Sequence, residues 1–155
     1  GGKILAVAGR APGLALSAHD ADMSRMRDLP QRAQRAGARV DLVGKPKGRF
    51  DLVIADVPCS GSGTWRRTPD SKWRLRPEAL EDIVALQARI LREVAPLVKP
   101  GGHLAYMTCS ILDSENGRQV DRFLAENSAF HQVSHHRWTP LDASDGFFLS
   151  LMARE

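Results

Sequence analysis

The sequence predicts an α/β domain: a mostly parallel sheet with helices on both faces, closed at its C-terminal end by an antiparallel hairpin. Three observations carry this expectation. Short apolar runs alternate with amphipathic segments as far as about residue 126, the pattern of strands joined by helical crossovers. Leu52-Val53-Ile54-Ala55 is apolar without alternation, as in a strand covered on both faces. Phe130–Ser134 and Gly146–Met152 then read as two strands with no helix between them. A chain of 155 residues with 43% hydrophobic content can build one core. No repeat, low-complexity tract or linker divides it, so residues 1–155 are expected to form one domain.

The elements follow in order. After Gly1-Gly2, Lys3 to Gly9 reads as a short helix and Ala15 to His19 as a strand. Ser24 to Ala36 has helical composition and stops at Gly37, with Pro30 inside it to kink or divide it. Val40–Val43 and Asp51–Ala55 are short strands. The longest helix is predicted from about Pro77 to Val98: Pro77 suits a first helical position and Glu78, Glu81 and Asp82 suit the positive end. Leu80, Ile83, Val84, Leu91, Val94, Ala95 and Val98 form its apolar stripe. Pro96 falls in the last turn, and Lys99-Pro100-Gly101-Gly102 stops it. A strand at His103–Met107 and a helix from Ser114 to Glu126, with Val120, Phe123 and Leu124 inward, complete the series.

Composition narrows the function. No apolar run approaches the roughly 20 residues that span a bilayer, and the N-terminus lacks the zones of a signal peptide; the expectation is a cytoplasmic protein with no membrane partner. The two cysteines, Cys59 and Cys109, are too few for a disulfide scaffold. Neither they nor the scattered histidines have metal-ligand spacing, so no metal is expected. The net charge of +4 is matched by one segment, where Arg66, Arg67, Lys72, Arg74 and Arg76 stand against Asp70 alone. Trp65 and Trp73 lie among these charges. Cations for phosphates and flat rings for bases suit a nucleic-acid strand; a solvated loop whose tryptophans cover the core edge is the alternative.

In parallel sheets the ligand site lies at the carboxyl ends of the strands. Cys59 follows one strand and Cys109 another, so the two thiols are predicted to meet at one rim. At the N-terminus, Gly1-Gly2-Lys3 resembles the end of a nucleotide-binding loop opening a helix. Asp20, past a strand, could accept hydrogen bonds from a ribose diol, with Asp22 as competitor. The stronger constellation is Asp56, Pro58, Cys59, Thr108 and Cys109. A thiolate is a good carbon nucleophile, and a nearby acid can stabilise charge developing on a substrate atom. These parts suit methylation of carbon 5 of a pyrimidine, in which a cysteine adds at carbon 6 and a second has a task in release. The alternative is two small, buried, inert thiols.

Three stretches, "DVPCSGSGTWRRTPDSKW", "LVKPGGHLAYMTCSILDSEN" and "DGFF", together resemble the Sun/nucleolar-protein family of RNA cytosine-C5 methyltransferases, in its bacterial RsmB-type branch that acts on small-subunit ribosomal RNA. The resemblance runs from Gly1 to the C-terminus. It implies a class I, Rossmann-like, S-adenosylmethionine-dependent fold. It implies Cys109 as the nucleophile, Cys59 as the residue that helps release product, Asp56 on the cytosine N3 and amino edge, and Pro58 shaping the base pocket. Gly1, Gly2, Lys3 and Asp20, with Asp56 and Pro58, would line the cofactor side. Arg66, Arg67 and Lys72 would meet RNA, and Gly146-Phe147-Phe148, with Phe148 on the substrate side, would border the site. Family members carry a strand and an Asp-x-Cys-Ala segment before the two glycines, and an acid after the third strand where Val43-Gly44-Lys45-Pro46-Lys47 has none. The expectation is therefore a C-terminal catalytic piece lacking the first strand, with weak or no cofactor binding in isolation. A non-catalytic RNA-binding module is the rival reading. DNA cytosine methylation is another, and it would make Cys59 the nucleophile.

Overall fold

The computed structural model describes residues 1–142 and 144–155, which form two units, Gly1–Gly48 and Arg49–Glu155. In the first, α1 (Gly2–Arg10) leads to β1 (Leu16–Ala18), a 3₁₀ turn (Met23–Met26), α2 (Leu29–Arg35) and β2 (Val40–Leu42). β1 and β2 pair in parallel, Leu16 opposite Val40. The predicted helix 24–36 is divided, as Pro30 implied. The ring occupies the first turn of α2, where a missing N–H costs nothing, and Leu29 and Ala33 are buried beneath.

The second unit is built on β3 (Phe50–Asp56), β4 (Val98–Thr108), β5 (Phe130–Trp138) and β6 (Phe147–Arg154). Between β3 and β4 lie α3 (Asp70–Arg74) and α4 (Pro77–Val94), and α5 (Gly117–Glu126) follows β4. The strand order is β3-β4-β6-β5. β3 and β4 are parallel, while β6 runs antiparallel to both β4 and β5. The sheet predicted as one is thus two among the described residues, and half of its strand pairings are antiparallel.

Two further expectations are corrected. The helix predicted to run to Val98 ends at Val94, because Pro96 has no N–H to continue it; a 3₁₀ turn follows, and Val98 is the fully buried first residue of β4. Lys99-Pro100-Gly101-Gly102, read as a helix stop, is a bulge inside β4, opposite Asp51. Gly101 takes φ +75° there, and Lys99 closes the bulge with 2.9 Å contacts to both carboxylate oxygens of Asp51. Within the second unit, the run Leu52–Ala55 is covered on one face only. Val53 and Ala55 pack into the core under α4, whereas Leu52 and Ile54 point the other way and are 44% and 37% exposed.

One core holds the unit together. Leu91 and Ala95 from the α4 end, Val120 and Phe123 from α5, and Val98, Leu104, Tyr106, Phe130, Phe148 and Met152 from the strands form a single buried cluster. Phe123 meets Phe130 edge-on at 5.2 Å. Full burial of such side chains stabilises by about 1.5–3 kcal/mol each, enough in sum to fix the sheet under the two helices. No helix among the described residues is long and apolar enough to cross a membrane.

Candidate active site

The parallel pairing of β3 with β4 brings their carboxyl ends level, Asp56 opposite Met107, and the Val57 N–H still donates to the Met107 carbonyl at 3.2 Å. Each strand then releases a cysteine into the loop beyond. Cys59 and Cys109, fifty residues apart in sequence, stand with their sulfurs 3.2 Å apart, both half-buried. The predicted convergence of the two thiols is what the structure shows.

The loops that carry them are fixed by polar groups buried beneath. Glu115 is fully buried. Its Oε1 accepts from the Ser60 N–H at 2.8 Å and from Gln87 Nε2 at 3.0 Å, and its Oε2 accepts from the hydroxyls of Ser60 and Ser110, both at 2.5 Å. Gln87 Nε2 also donates to the Pro58 carbonyl at 2.9 Å, Thr108 Oγ1 donates to Asn116 Oδ1 at 2.6 Å, and Asn116 Nδ2 donates to the Ser110 carbonyl at 2.9 Å. A third loop locks on: the Gly63 N–H donates to the Cys109 carbonyl at 3.0 Å, and the Gly146 N–H to the Gly63 carbonyl at 2.9 Å. Gly63 and Gly146 lie backbone against backbone, so a Cβ on Gly63 would fall on the Gly146 carbonyl.

The hydrogen bond to Cys109, reinforced by burial, pushes the Cys59 thiol well above the ordinary thiol range. Cys59 is thereby favoured in its thiol form. The linkage has a definite sign. A pKa raised on folding contributes stability that is complete below the unfolded thiol value of about 8.5 and is lost as pH rises beyond it. Thermal unfolding midpoints of the wild type should fall above about pH 8.5, and the fall should be shallower in Cys59→Ser; parallel curves would show that Cys59 ionises normally in the fold.

The other predicted site residues are placed as follows. Asp56 and Pro58 are exposed at the end of β3, and Thr108 is buried beside Cys109. Phe148 is only 2% exposed; its ring packs edge-on to Tyr106 and stacks under His135, each at 6.4 Å. Arg66 and Arg67 both engage Asp145, at 3.4 and 2.6 Å, and so tie the loop after β3 to the loop before β6. Lys72 lies 5.4 Å from the ring centre of Trp73, which is 82% exposed on α3. In the first unit, Gly1, Gly2 and Lys3 open α1, whose first turn carries no side-chain cap. Asp20 stands just past β1, with its Oδ1 accepting from the Asp22 N–H at 2.9 Å. No group of three or more His, Cys, Asp or Glu that could hold a metal ion occurs among the described residues.

Sequence reasoning did not single out Glu115, Gln87 or Asn116. Within "LDSENG" the acid and the amide fell in the first turn of the helix predicted from Ser114, and the only hint was the density of serines behind each cysteine.

This architecture is shared with known enzymes. A crystal structure of PH0851 superposes with a TM-score of 0.82 at 32% identity, covering 89% of this chain and 36% of that one. A methyltransferase homolog protein from Pyrococcus horikoshii superposes at 0.76 over 91% of this chain and 53% of its own, and at 23% identity it speaks for the fold alone. The fold is that of the Rossmann-like, S-adenosylmethionine-dependent methyltransferases. The sequence pattern described as 16S rRNA methyltransferase RsmB/F matches residues 1–152, and the chain belongs to that family. The ribosomal RNA small subunit methyltransferase B of Enterobacter sp. (strain 638) is 36% identical over the whole chain. The chain spans 40% of that relative's length.

Proposed function

We propose that this chain is the catalytic part of an S-adenosylmethionine-dependent enzyme that methylates carbon 5 of cytosine in small-subunit ribosomal RNA. The observation that carries the reading is the sulfur–sulfur contact between Cys59 and Cys109 at the ends of adjacent parallel strands. Carbon 5 of cytosine is too weak a nucleophile in the aromatic ring. Cys109 thiolate adds to carbon 6, the electrons of the 5,6 double bond move onto the ring, and carbon 5 becomes the nucleophilic end of an enamine. S-adenosylmethionine, when bound, supplies the electrophilic sulfonium methyl group. Afterwards solvent water takes the proton on carbon 5, its bonding pair restores the double bond, and the sulfur departs from carbon 6 as thiolate. Cys59, favoured as a thiol next to that sulfur, can donate to it as it leaves. Asp56, at the exposed end of β3, would hold the N3 and amino edge of the base, and Pro58, anchored by Gln87, would form its wall.

The residues of the first unit fit the cofactor's chemistry. Gly1, Gly2 and Lys3 open a helix whose positive end suits a carboxylate, and Asp20 offers an acceptor to a ribose diol. The basic segment fits the RNA. Lys72, Arg74 and Arg76 are exposed, and Trp73 presents a full ring face to solvent. Base stacking on such a ring contributes about 1–3 kcal/mol, so Trp73→Ala should weaken RNA binding about tenfold, while Lys72→Ala should mainly flatten its salt dependence. Titrations at two salt concentrations check both, and unchanged affinity in the two variants would place the RNA elsewhere.

The deciding experiment transfers labelled methyl from S-adenosylmethionine to unmodified small-subunit ribosomal RNA with the full-length protein, and maps the product base. 5-Methylcytosine in RNA supports the proposal. RNA binding with no transfer would make the chain a binding module, and transfer only to DNA would assign the fold another substrate.

A further inference from the structure

We infer that Glu115 is the positioning residue of the thiol pair: one buried carboxylate, bonded to the residue that follows each cysteine, holds the two sulfurs in contact. Its consequence for methyl transfer rests on the function proposed above; the positioning itself rests on geometry.

A carboxylate with no exposed surface is costly unless every acceptor position is filled. Among the described residues no lysine, arginine or histidine pairs with Glu115. Four neutral donors fill it instead: the N–H and hydroxyl of Ser60, the hydroxyl of Ser110 and the amide of Gln87. Ser60 directly follows Cys59 and Ser110 directly follows Cys109, so the two loops share a single acceptor. The hydroxyl directions are determined. Glu115 Oε2 can only accept, so the Ser110 hydrogen points to it, and Ser62 Oγ, which accepts from the Ile111 N–H at 3.0 Å, donates to Ser110 Oγ at 2.8 Å. Ser110 Oγ also accepts from the Leu112 N–H at 3.0 Å, which leaves its hydrogen for Glu115. Glu115 is itself held from behind, since its carbonyl accepts from the Tyr106 hydroxyl at 2.6 Å. A glutamine in its place would keep the shape but turn one oxygen into a donor facing donors, and the loops would part.

Phenylarsine oxide reads this geometry without reference to methyl transfer. Two thiols add to its arsenic with loss of one water and no change of oxidation state, and a stable ring forms only when the sulfurs are neighbours. The full-length wild-type protein should bind one equivalent, reversed by a dithiol, and Cys59→Ser and Cys109→Ser should lose it. Glu115→Gln should bind the arsenical at least tenfold more weakly and lose methyl transfer by at least the same factor, with RNA affinity within twofold of wild type. Should that variant fail to fold by circular dichroism, Ser60→Ala, which removes one donor and leaves the carboxylate three, should still weaken arsenical binding severalfold. Wild-type affinity for the arsenical in Glu115→Gln, or in Ser60→Ala where the first does not fold, overturns the inference, as does a wild type that takes none. Loss of arsenical binding in Glu115→Gln, with no transfer even by wild type, would uphold the positioning and remove the methyltransferase reading.

Discussion

Cys109→Ala should reduce methyl transfer by on the order of 10⁴-fold or more, the scale seen when a nucleophile is removed from a working constellation. No protein–RNA adduct should form, because in the proposed reaction the bond to carbon 6 is made by that sulfur. Cys59→Ala should behave differently. The nucleophile and its loop remain, so addition and transfer proceed, but the thiol beside the departing sulfur is gone. The variant should accumulate a covalent adduct with RNA that survives denaturing electrophoresis, while turnover falls. The contrast depends on the two sulfurs being neighbours at 3.2 Å, with the Cys59 thiol pushed up by its hydrogen bond to Cys109 and by burial. A DNA-type mechanism gives the reverse assignment, with the adduct lost in Cys59→Ala, and that result would exchange the roles of the two residues.

Gly63→Ala should be the most disruptive single methyl group in the second unit. Its added carbon would overlap the carbonyl, carbonyl carbon and Cα of Gly146, all backbone atoms that cannot rotate aside. Overpacking of this kind costs about 3 kcal/mol, or roughly 10–20 °C in the unfolding temperature of a unit this size. The site should fail before the fold does, because Gly63 also donates to the Cys109 carbonyl. Gly9→Ala is the control: a Cβ there meets nothing within 4 Å and sits inside α1, so it should be neutral or slightly stabilising. Differential scanning fluorimetry and adduct formation measure both effects. A Gly63→Ala midpoint within about 2 °C of wild type would mean that the two loops do not touch.

Legibility in the sequence followed the range of the forces concerned. Elements governed by local chemistry were readable: α1, the division of helix 24–36 at Pro30, and α5 with Val120 and Phe123 inward. The meeting of Cys59 and Cys109 was readable too, because a parallel α/β order places successive strand ends at one rim. The Lys99–Gly102 bulge was not, since the same four residues stop a helix or bend a strand, and only the ion pair to Asp51 and the pairing with Phe50 decide between them. The short α3 was hidden in a charged stretch with no apolar stripe, and none of its residues is buried. Glu115 escaped because burial of an acid is a tertiary fact. Its donors come from residues 28 and 55 positions away as well as from Ser110 nearby, and nothing in its own neighbourhood distinguishes it from a solvated acid.

The order of strands also bears on when the candidate site is assembled. β6, which follows β3, β4 and β5 along the chain, inserts between β4 and β5, and the glycine just before it rests on Gly63. During synthesis, β3 and β4 can pair around α4, but the sheet cannot close and the thiol loops cannot be clamped until residues 146–154 have been made. Distant pairings of this sort form late and slowly. A nascent or C-terminally clipped chain would hold both cysteines without the clamp supplied by the last loop. Assembly of the thiol pair is thereby deferred until β6 has paired, and a nascent chain short of that strand carries the two cysteines before their surroundings are complete.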